Sequence, residues 1–103
     1  MIRILVADDH PIVRAGLVGI FEDEADIEVV AEAADGAAAV TRALATTPAV
    51  VVMDLRMPVT DGVSATRQIL AALPSTRVLV VTTYDSDDAI IGAIEAGASG
   101  YLL

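Results

Sequence analysis

Cysteine and lysine are both absent from this chain of 103 residues. The absence of cysteine excludes disulfide bonds and is compatible with a reducing compartment. No apolar run approaches the ~18 residues that a membrane-spanning helix requires. The N-terminal apolar run is short and ends in two acids, which excludes a signal peptide. We therefore expect a cytoplasmic protein that does not associate with a membrane.

The missing lysines leave six arginines against fifteen acidic residues, a formal net charge of -9. A surface this acidic repels the phosphate backbone of nucleic acids. We therefore expect any contact with DNA to need another domain. The hydrophobic fraction of 55% exceeds the usual ~45–50%, which is typical of a sheet that is covered on both faces.

Five apolar segments alternate with four segments of helical periodicity. The strands are predicted at 2–7, 27–32, 50–53, 78–81 and 100–103, and the helices from Pro11 to the acids of FEDEAD, over 36–46, from Asp61-Gly62 to Pro74, and over 86–96. This alternation predicts an α/β domain with a parallel sheet between helices. The commonest five-stranded solution is the flavodoxin-like, doubly wound order 2-1-3-4-5.

The helical spacing also predicts which apolar residues are buried. They are Val13, Leu17, Ile20 and Phe21 in the first helix, Val63, Ile69, Leu70 and Leu73 in the third, and Ile90, Ile91 and Ile94 in the fourth. Right-handed crossovers place the first helix on one face of the sheet and the other three on the opposite face. Because one helix cannot cover five strands, we expect a fifth helix after Leu103 and regard the chain as a truncated domain.

Carboxylates follow two of the predicted strands at the point where each strand ends. Asp8 and Asp9 follow the first strand, and Asp54 follows the third. Separately, an Asp pair before a helix is more often a cap, and a lone Asp after a strand is usually a turn residue. In the order 2-1-3-4-5, however, the two strands are neighbours, and ligands bind in the crevice beyond their ends. Three carboxylates there repel one another, which favours a site for Mg²⁺, a cation that prefers oxygen ligands.

Four segments resemble the receiver domain of two-component response regulators: ILVADDH, VVVMDLRMPVTDG, VLVVTTYDSDD and AGASGYLL. They occur in the order of that family, and the resemblance covers residues 1–103. ADDHPIVRAGL resembles in particular the NarL/FixJ (LuxR-type) family. Members of that family usually carry a C-terminal helix-turn-helix DNA-binding domain, which we expect in the full-length protein and which this chain does not contain.

The resemblance implies a role for each residue near the acidic crevice. Asp54 corresponds to the phosphoacceptor, which takes a phosphoryl group from a sensor histidine kinase. Asp8, Asp9, Asp54 and the backbone carbonyl of Arg56 correspond to the Mg²⁺ ligands. His10 is the only histidine, and we interpret it as a helix-start residue and not a ligand, because Mg²⁺ prefers oxygen.

Three further residues are assigned by the resemblance. Thr82 corresponds to the switch hydroxyl that bonds the new phosphoryl oxygen, Tyr101 to the aromatic that turns inward with it, and Thr83 to the small residue that admits the phosphoryl donor. On spacing alone, Thr82 would be a helix cap and Tyr101 an amphipathic core residue. The family also places a lysine after GYLL. Because the chain ends at Leu103 and contains no lysine, we expect this segment to be phosphorylated or switched poorly.

The function that the resemblance implies is a phosphorylation-dependent switch of a transcriptional regulator, with homodimerisation on activation and DNA binding through the C-terminal domain. One alternative is a stand-alone receiver that binds a protein target or passes the phosphoryl group onward. Another is a Mg²⁺-dependent phosphohydrolase of the haloacid dehalogenase type. Those enzymes typically have a second Asp two residues after the nucleophile, where this chain has Arg56. We therefore expect no enzymatic activity beyond self-phosphorylation at Asp54.

Overall fold

The computed structural model describes residues 1–81 and 87–102, without the side chains of residues 87–90. Within these residues five strands alternate with four helices. The elements are β1 (Ile2–Ala7), α1 (Pro11–Glu22), β2 (Ile27–Ala33), α2 (Gly36–Thr46), β3 (Val50–Met53), α3 (Gly62–Ala72), β4 (Arg77–Val81), α4 (Asp87–Glu95) and β5 (Gly100–Leu102). The predicted succession of elements is confirmed. Among the described helices, none combines the length and the apolar character needed to cross a membrane.

The five strands form one parallel sheet in the order β2-β1-β3-β4-β5, the flavodoxin-like order that we expected as the commonest five-stranded solution. In the central pair, Ala7 of β1 lies opposite Met53 of β3. Each is the last residue of its strand, so the residues that follow them, Asp8 and Asp54, leave the sheet side by side. The register therefore brings the two acidic segments to one edge.

Three helices cover one face of the sheet. The contact with the central strands is made by small side chains that are fully buried: Ala39 and Ala43 of α2 and Ala65 of α3. Such small side chains let the two helices approach the sheet closely. α4 covers Val80 of β4 through Ala93. The buried residues on this face form two hydrophobic clusters, one beneath α2 and α3 and one beneath α4. The apolar residues predicted to line α3 all pack in these clusters: Val63, Ile69, Leu70 and Leu73.

α1 contacts β1 and β2 and contributes no residue to the clusters beneath α2, α3 and α4. The residues buried on its face of the sheet are Ile4, Val6 and Val52. The buried stripe predicted for α1 is wrong at Val13 and Ile20, which are 46% and 64% exposed. Leu17 and Phe21 are half-buried. The main contacts of α1 are with β1 and β2, so its side chains that point away from these two strands stay exposed.

The stripe predicted for α4 is wrong at Ile91 and Ile94. Ile91 and Ile94 are each 51% exposed, whereas Ala93 is 1% exposed and packs with Val80. The side chain of Ile90 lies outside the described residues. Helical periodicity identifies residues that share a face, but it does not say which face turns inward. In α4 Ala93 makes the contact, and Ile91 and Ile94 lie beside it.

Candidate functional site

Four polar side chains meet beyond the carboxyl ends of β1 and β3. One ligand atom from each of Asp8, Asp9, His10 and Asp54 lies within 4.8 Å of the others. Asp8 and Asp54 are nearly buried, at 4% and 5% exposed, whereas the side chain of His10 is 63% exposed. The structure thus brings together the three carboxylates that the strand order predicted to be neighbours, and adds an imidazole at the rim.

Backbone hydrogen bonds fix the two buried carboxylates on the sheet. The amide of Asp8 donates to the carbonyl of Ala33 at 3.0 Å, and the amide of Asp54 donates to the carbonyl of Ala7 at 2.9 Å. Both bonds continue the sheet ladder one residue beyond the strand. The side chains therefore project from the ends of sheet strands, and a site built on a strand is positioned more precisely than one on a loop.

Asp8 is held from two further directions. The backbone amide of His10 donates to Asp8 Oδ1 at 2.8 Å, and Arg14 Nη1 donates to the Asp8 carbonyl oxygen at 2.8 Å. Arg14 Nε also donates to Glu32 Oε1 at 3.2 Å, which ties α1 to the end of β2. These contacts orient the segment between β1 and α1 around the carboxylate.

Arg56 lies in the turn after Asp54. Its backbone amide donates to Asp54 Oδ1 at 3.4 Å, a long hydrogen bond, and the residue as a whole is exposed. The turn therefore folds back onto the Asp54 carboxylate through its backbone. The proposed role of the Arg56 carbonyl as a metal ligand stays a prediction.

His10 is the N-cap residue of α1, as its interpretation as a helix-start residue implied, but its side chain makes no capping hydrogen bond. Nδ1 lies 3.1 Å from Asp8 Oδ1 and 3.0 Å from Asp9 Oδ1. The hydrogen bond to Asp8 and then the charge of Asp9 raise the pKa of His10 above its usual 6.5, against a lowering by burial. Sequence reasoning missed this contact, although the adjacency of His10 to two acids at a strand end could have indicated it.

Asp9 Oδ1 shows that the site fits a cation. The atom is buried and has no hydrogen-bond partner among the described residues, even though His10 Nδ1 is close to it. A buried carboxylate oxygen without a donor is costly unless a positive charge faces it. Two nearly buried carboxylates beside it form the donor set of a hard divalent cation such as Mg²⁺.

Of the three remaining predicted site residues, one lies apart from this cluster and two lie outside the residues that the structure describes. Thr82 and Thr83 lie outside the described residues. Tyr101 lies on β5 opposite Val80, and it is 45% exposed. Its switch role stays a prediction, as do the roles of the two threonines.

Residues 4–103 match the family model of the response regulator receiver domain. The chain is 46% identical over 103 residues to the transcriptional regulatory protein LiaR of Bacillus subtilis. This match covers 100% of this chain and 49% of that protein. The chain is 41% identical to the DNA-binding transcriptional activator DevR/DosR of Mycobacterium tuberculosis, again over the whole chain and 48% of the relative. The chain thus spans about half the length of these curated relatives.

A solved structure is similar over nearly the whole chain. The signal receiver domain of the response regulator NarL from Mycobacterium tuberculosis superposes with a TM-score of 0.94 at 37% identity, and the match covers 99% of this chain and 82% of that one. The sheet order, the family match over nearly every residue and the names of these relatives agree. The chain belongs to the receiver domains of two-component response regulators, within the NarL (LuxR-type) group.

Proposed function

We propose that this receiver is a phosphoacceptor in which Asp54 is phosphorylated by a sensor histidine kinase with the help of Mg²⁺. The observation that carries the proposal is the convergence of Asp8, Asp9 and Asp54 within 4.8 Å at the carboxyl edge of the sheet. Family membership supports the same assignment. Asp54 then acts as the nucleophile, and its position on the continued sheet ladder holds it for in-line attack.

In this reaction one oxygen of the Asp54 carboxylate forms a bond to phosphorus, and the bond between phosphorus and the donor's leaving atom breaks. Asp8, Asp9 and Asp54, with the carbonyl of Arg56, would hold Mg²⁺, which supplies neutralisation of the phosphoryl charge. The hydrogen bonds from His10 and Arg14 orient Asp8 for this task. The receiver is a signalling domain, and self-phosphorylation is the only chemistry we assign to it.

The phosphoryl group adds about -1.5 to -2 charge to the site. We infer that Thr82 bonds the new oxygen, that Thr83 leaves room for the donor, and that Tyr101 follows Thr82 inward. These changes would alter the surface near α4 and β5 and switch homodimerisation in the cytoplasm. The names of LiaR and DevR/DosR support a transcriptional output. DNA binding itself would reside outside this chain, whose net charge of -9 disfavours it.

The proposal is tested by the intact mass of the full-length protein after incubation with acetyl phosphate, with and without Mg²⁺. We expect a single phosphoryl adduct that requires Mg²⁺ and is lost in Asp54→Asn. Asp61→Asn is the matched control: Asp61 caps α3 through Ser64 at 2.8 Å, lies outside the acidic cluster, and Asn caps about as well as Asp. An adduct that persists in Asp54→Asn, or no adduct on a folded wild-type protein, would refute the assignment.

Homodimerisation on phosphorylation is tested separately by light scattering of the full-length protein in its phosphorylated and unphosphorylated forms. We expect a larger dimeric fraction after phosphorylation. An adduct on Asp54 without any change in association would instead favour a stand-alone receiver that acts by binding another protein or by passing the phosphoryl group on.

A further inference from the structure

The only histidine of the chain makes its closest polar contacts with the acidic cluster. His10 Nδ1 lies 3.1 Å from Asp8 Oδ1 and 3.0 Å from Asp9 Oδ1. The backbone of His10 is fixed at the same time, because its amide donates to Asp8 Oδ1 at 2.8 Å. The backbone of His10 therefore places its imidazole next to the carboxylate oxygens.

A hydrogen bond accounts for only one of these two contacts. Nδ1 carries at most one proton, and the geometry of the contact with Asp8 Oδ1 allows a hydrogen bond. Asp9 Oδ1 has no hydrogen-bond partner among the described residues, although it is buried. A proton on Nδ1 thus leaves one carboxylate oxygen unsatisfied. A cation that accepts lone pairs from all three atoms would satisfy each of them.

The two distances also match the spacing of neighbouring ligands around a metal ion. In an octahedral site with bonds of about 2.1 Å, adjacent ligand atoms lie about 3.0 Å apart. The distances from His10 Nδ1 to Asp8 Oδ1 and Asp9 Oδ1 are 3.1 and 3.0 Å. His10 Nδ1 is therefore spaced from each of the two carboxylate oxygens as neighbouring ligands are spaced around a six-coordinate ion.

We propose that His10 is a metal ligand, and that with Asp8 and Asp9 it makes the site selective for six-coordinate divalent transition metals, such as Fe²⁺, Co²⁺ and Ni²⁺, relative to a site of oxygens alone. Imidazole nitrogen binds these ions well, whereas Mg²⁺ favours oxygen. The inference rests on the proposed function, since it concerns the same cation site. It changes the earlier interpretation of His10 from a helix-start residue to a residue that sets metal preference.

The test compares Co²⁺ and Mg²⁺ binding by titration calorimetry in wild-type protein and His10→Phe, at one fixed pH of about 8, so that competition from protons is the same in every titration. We expect the substitution to weaken Co²⁺ binding by about tenfold or more and to change Mg²⁺ binding by less than about twofold. His10→Ser is a second variant, because Ser is a favoured N-cap residue and is too short to coordinate. Circular dichroism checks that both variants fold.

A spectroscopic readout identifies the ligand directly. Because the chain has one histidine, proton NMR of the Co²⁺-loaded protein should show one exchangeable, strongly shifted imidazole N–H signal, from Nε2–H of a ring bound through Nδ1. The signal should be absent from both variants. This measurement does not depend on phosphorylation.

The outcomes separate this inference from the proposed function. If Co²⁺ binding is equal in wild type and His10→Phe while Mg²⁺ still supports the Asp54 adduct, His10 is not a ligand and the proposed function stands. If removal of the imidazole tightens Mg²⁺ binding and no N–H signal appears, His10 is a competing hydrogen-bond donor, which also overturns the inference. If the signal appears but no Mg²⁺-dependent adduct forms, the proposed function fails and the ligand role stands.

Discussion

Gly62 packs directly against the backbone of Asp54. A β-carbon at Gly62 would overlap the carbonyl oxygen of Asp54 and would lie 2.6 Å from Cα of Leu55, closer than real β-carbons approach a backbone atom. The Gly62 amide also donates to the Leu55 carbonyl oxygen at 2.9 Å. The first turn of α3 therefore braces the turn that carries the candidate nucleophile, and only glycine leaves room for it.

Gly62→Ala should displace this turn, because neither neighbour is the end of a flexible side chain. We expect a loss of about 1–3 kcal/mol in the free energy of unfolding, the usual range for overpacking, and slower formation of the Asp54 adduct. Gly16→Ala is the matched control, since a β-carbon at Gly16 of α1 would meet nothing within 4 Å. It should stabilise the helix by about 0.5–1 kcal/mol. Equal effects of the two changes in urea denaturation would contradict the close packing.

The carboxylates of Asp8, Asp9 and Asp54 repel one another. The effect of removing one of them on the free energy of unfolding should therefore depend on whether Mg²⁺ is bound. With the metal chelated, Asp54→Asn should raise the free energy of unfolding by about 1 kcal/mol, because it removes one of three nearby charges. At a Mg²⁺ concentration of 100 times the dissociation constant, wild type should gain about 2.7 kcal/mol, and the variant less. The measurement is urea denaturation with EDTA and with Mg²⁺, and Asp61→Asn should respond as wild type does. A stabilisation of Asp54→Asn that is the same in both buffers would argue against a cation at the cluster.

Val59 has a strained backbone in the turn that follows Asp54. Its φ is 69°, a conformation that is unfavourable for a β-branched residue, and it is 84% exposed. Val59→Asn should therefore stabilise the protein by about 0.5–1 kcal/mol, because Asn tolerates this conformation and little burial is lost. Val59→Ala keeps the β-carbon and should gain less. We expect the midpoint of thermal unfolding to be lowest for wild type and highest for Val59→Asn, and a Val59→Asn midpoint no higher than that of wild type would contradict the strain.

The fold was predictable because each boundary has a local chemical cause. Pro11 starts α1, and Asp35 and Asp61 cap α2 and α3 through their side chains, so the helices begin where the sequence predicted. Gly97 has a φ of 110°, which explains why α4 ends just before it. Strands made of apolar residues bounded by such signals leave few arrangements open. The position of Asp54 beside Asp8 follows from strand order alone.

What the sequence did not predict depends on which neighbours surround a side chain. The burial of Ala93 and the exposure of Ile91 in α4 depend on the angle at which the helix meets the sheet, which periodicity does not contain. The contact of His10 with Asp9 depends on how the chain turns between β1 and α1. The preference of Mg²⁺ for oxygen led to the sequence-based interpretation of His10 as a helix-start residue, but it did not determine where the imidazole lies.

The pKa of His10 should depend on the carboxylates that lie next to its imidazole. In the metal-free protein, proton NMR of the single imidazole should give a pKa above 6.5, since the hydrogen bond to Asp8 and the charge of Asp9 favour the charged form. Asp8→Asn should return the pKa toward 6.5 more than Asp9→Asn does, because the hydrogen bond to Asp8 is the largest cause. A larger effect of Asp9→Asn would mean that the imidazole pairs mainly with that residue in solution.

The same shift predicts how stability depends on pH. Because the folded protein raises the pKa of His10 above the unfolded value of 6.5, the folded state binds the proton more tightly. The stabilisation is therefore complete below pH 6.5 and is lost as the pH rises through the folded-state pKa. His10→Phe should accordingly destabilise the metal-free protein more at pH ~5.5 than at pH ~8.5, measured by urea denaturation at both values. His10 is mostly exposed, so the difference should be small and should shrink with added salt. A destabilisation that grows with rising pH would show that the ring stabilises the fold in its neutral form, by packing and not by charge.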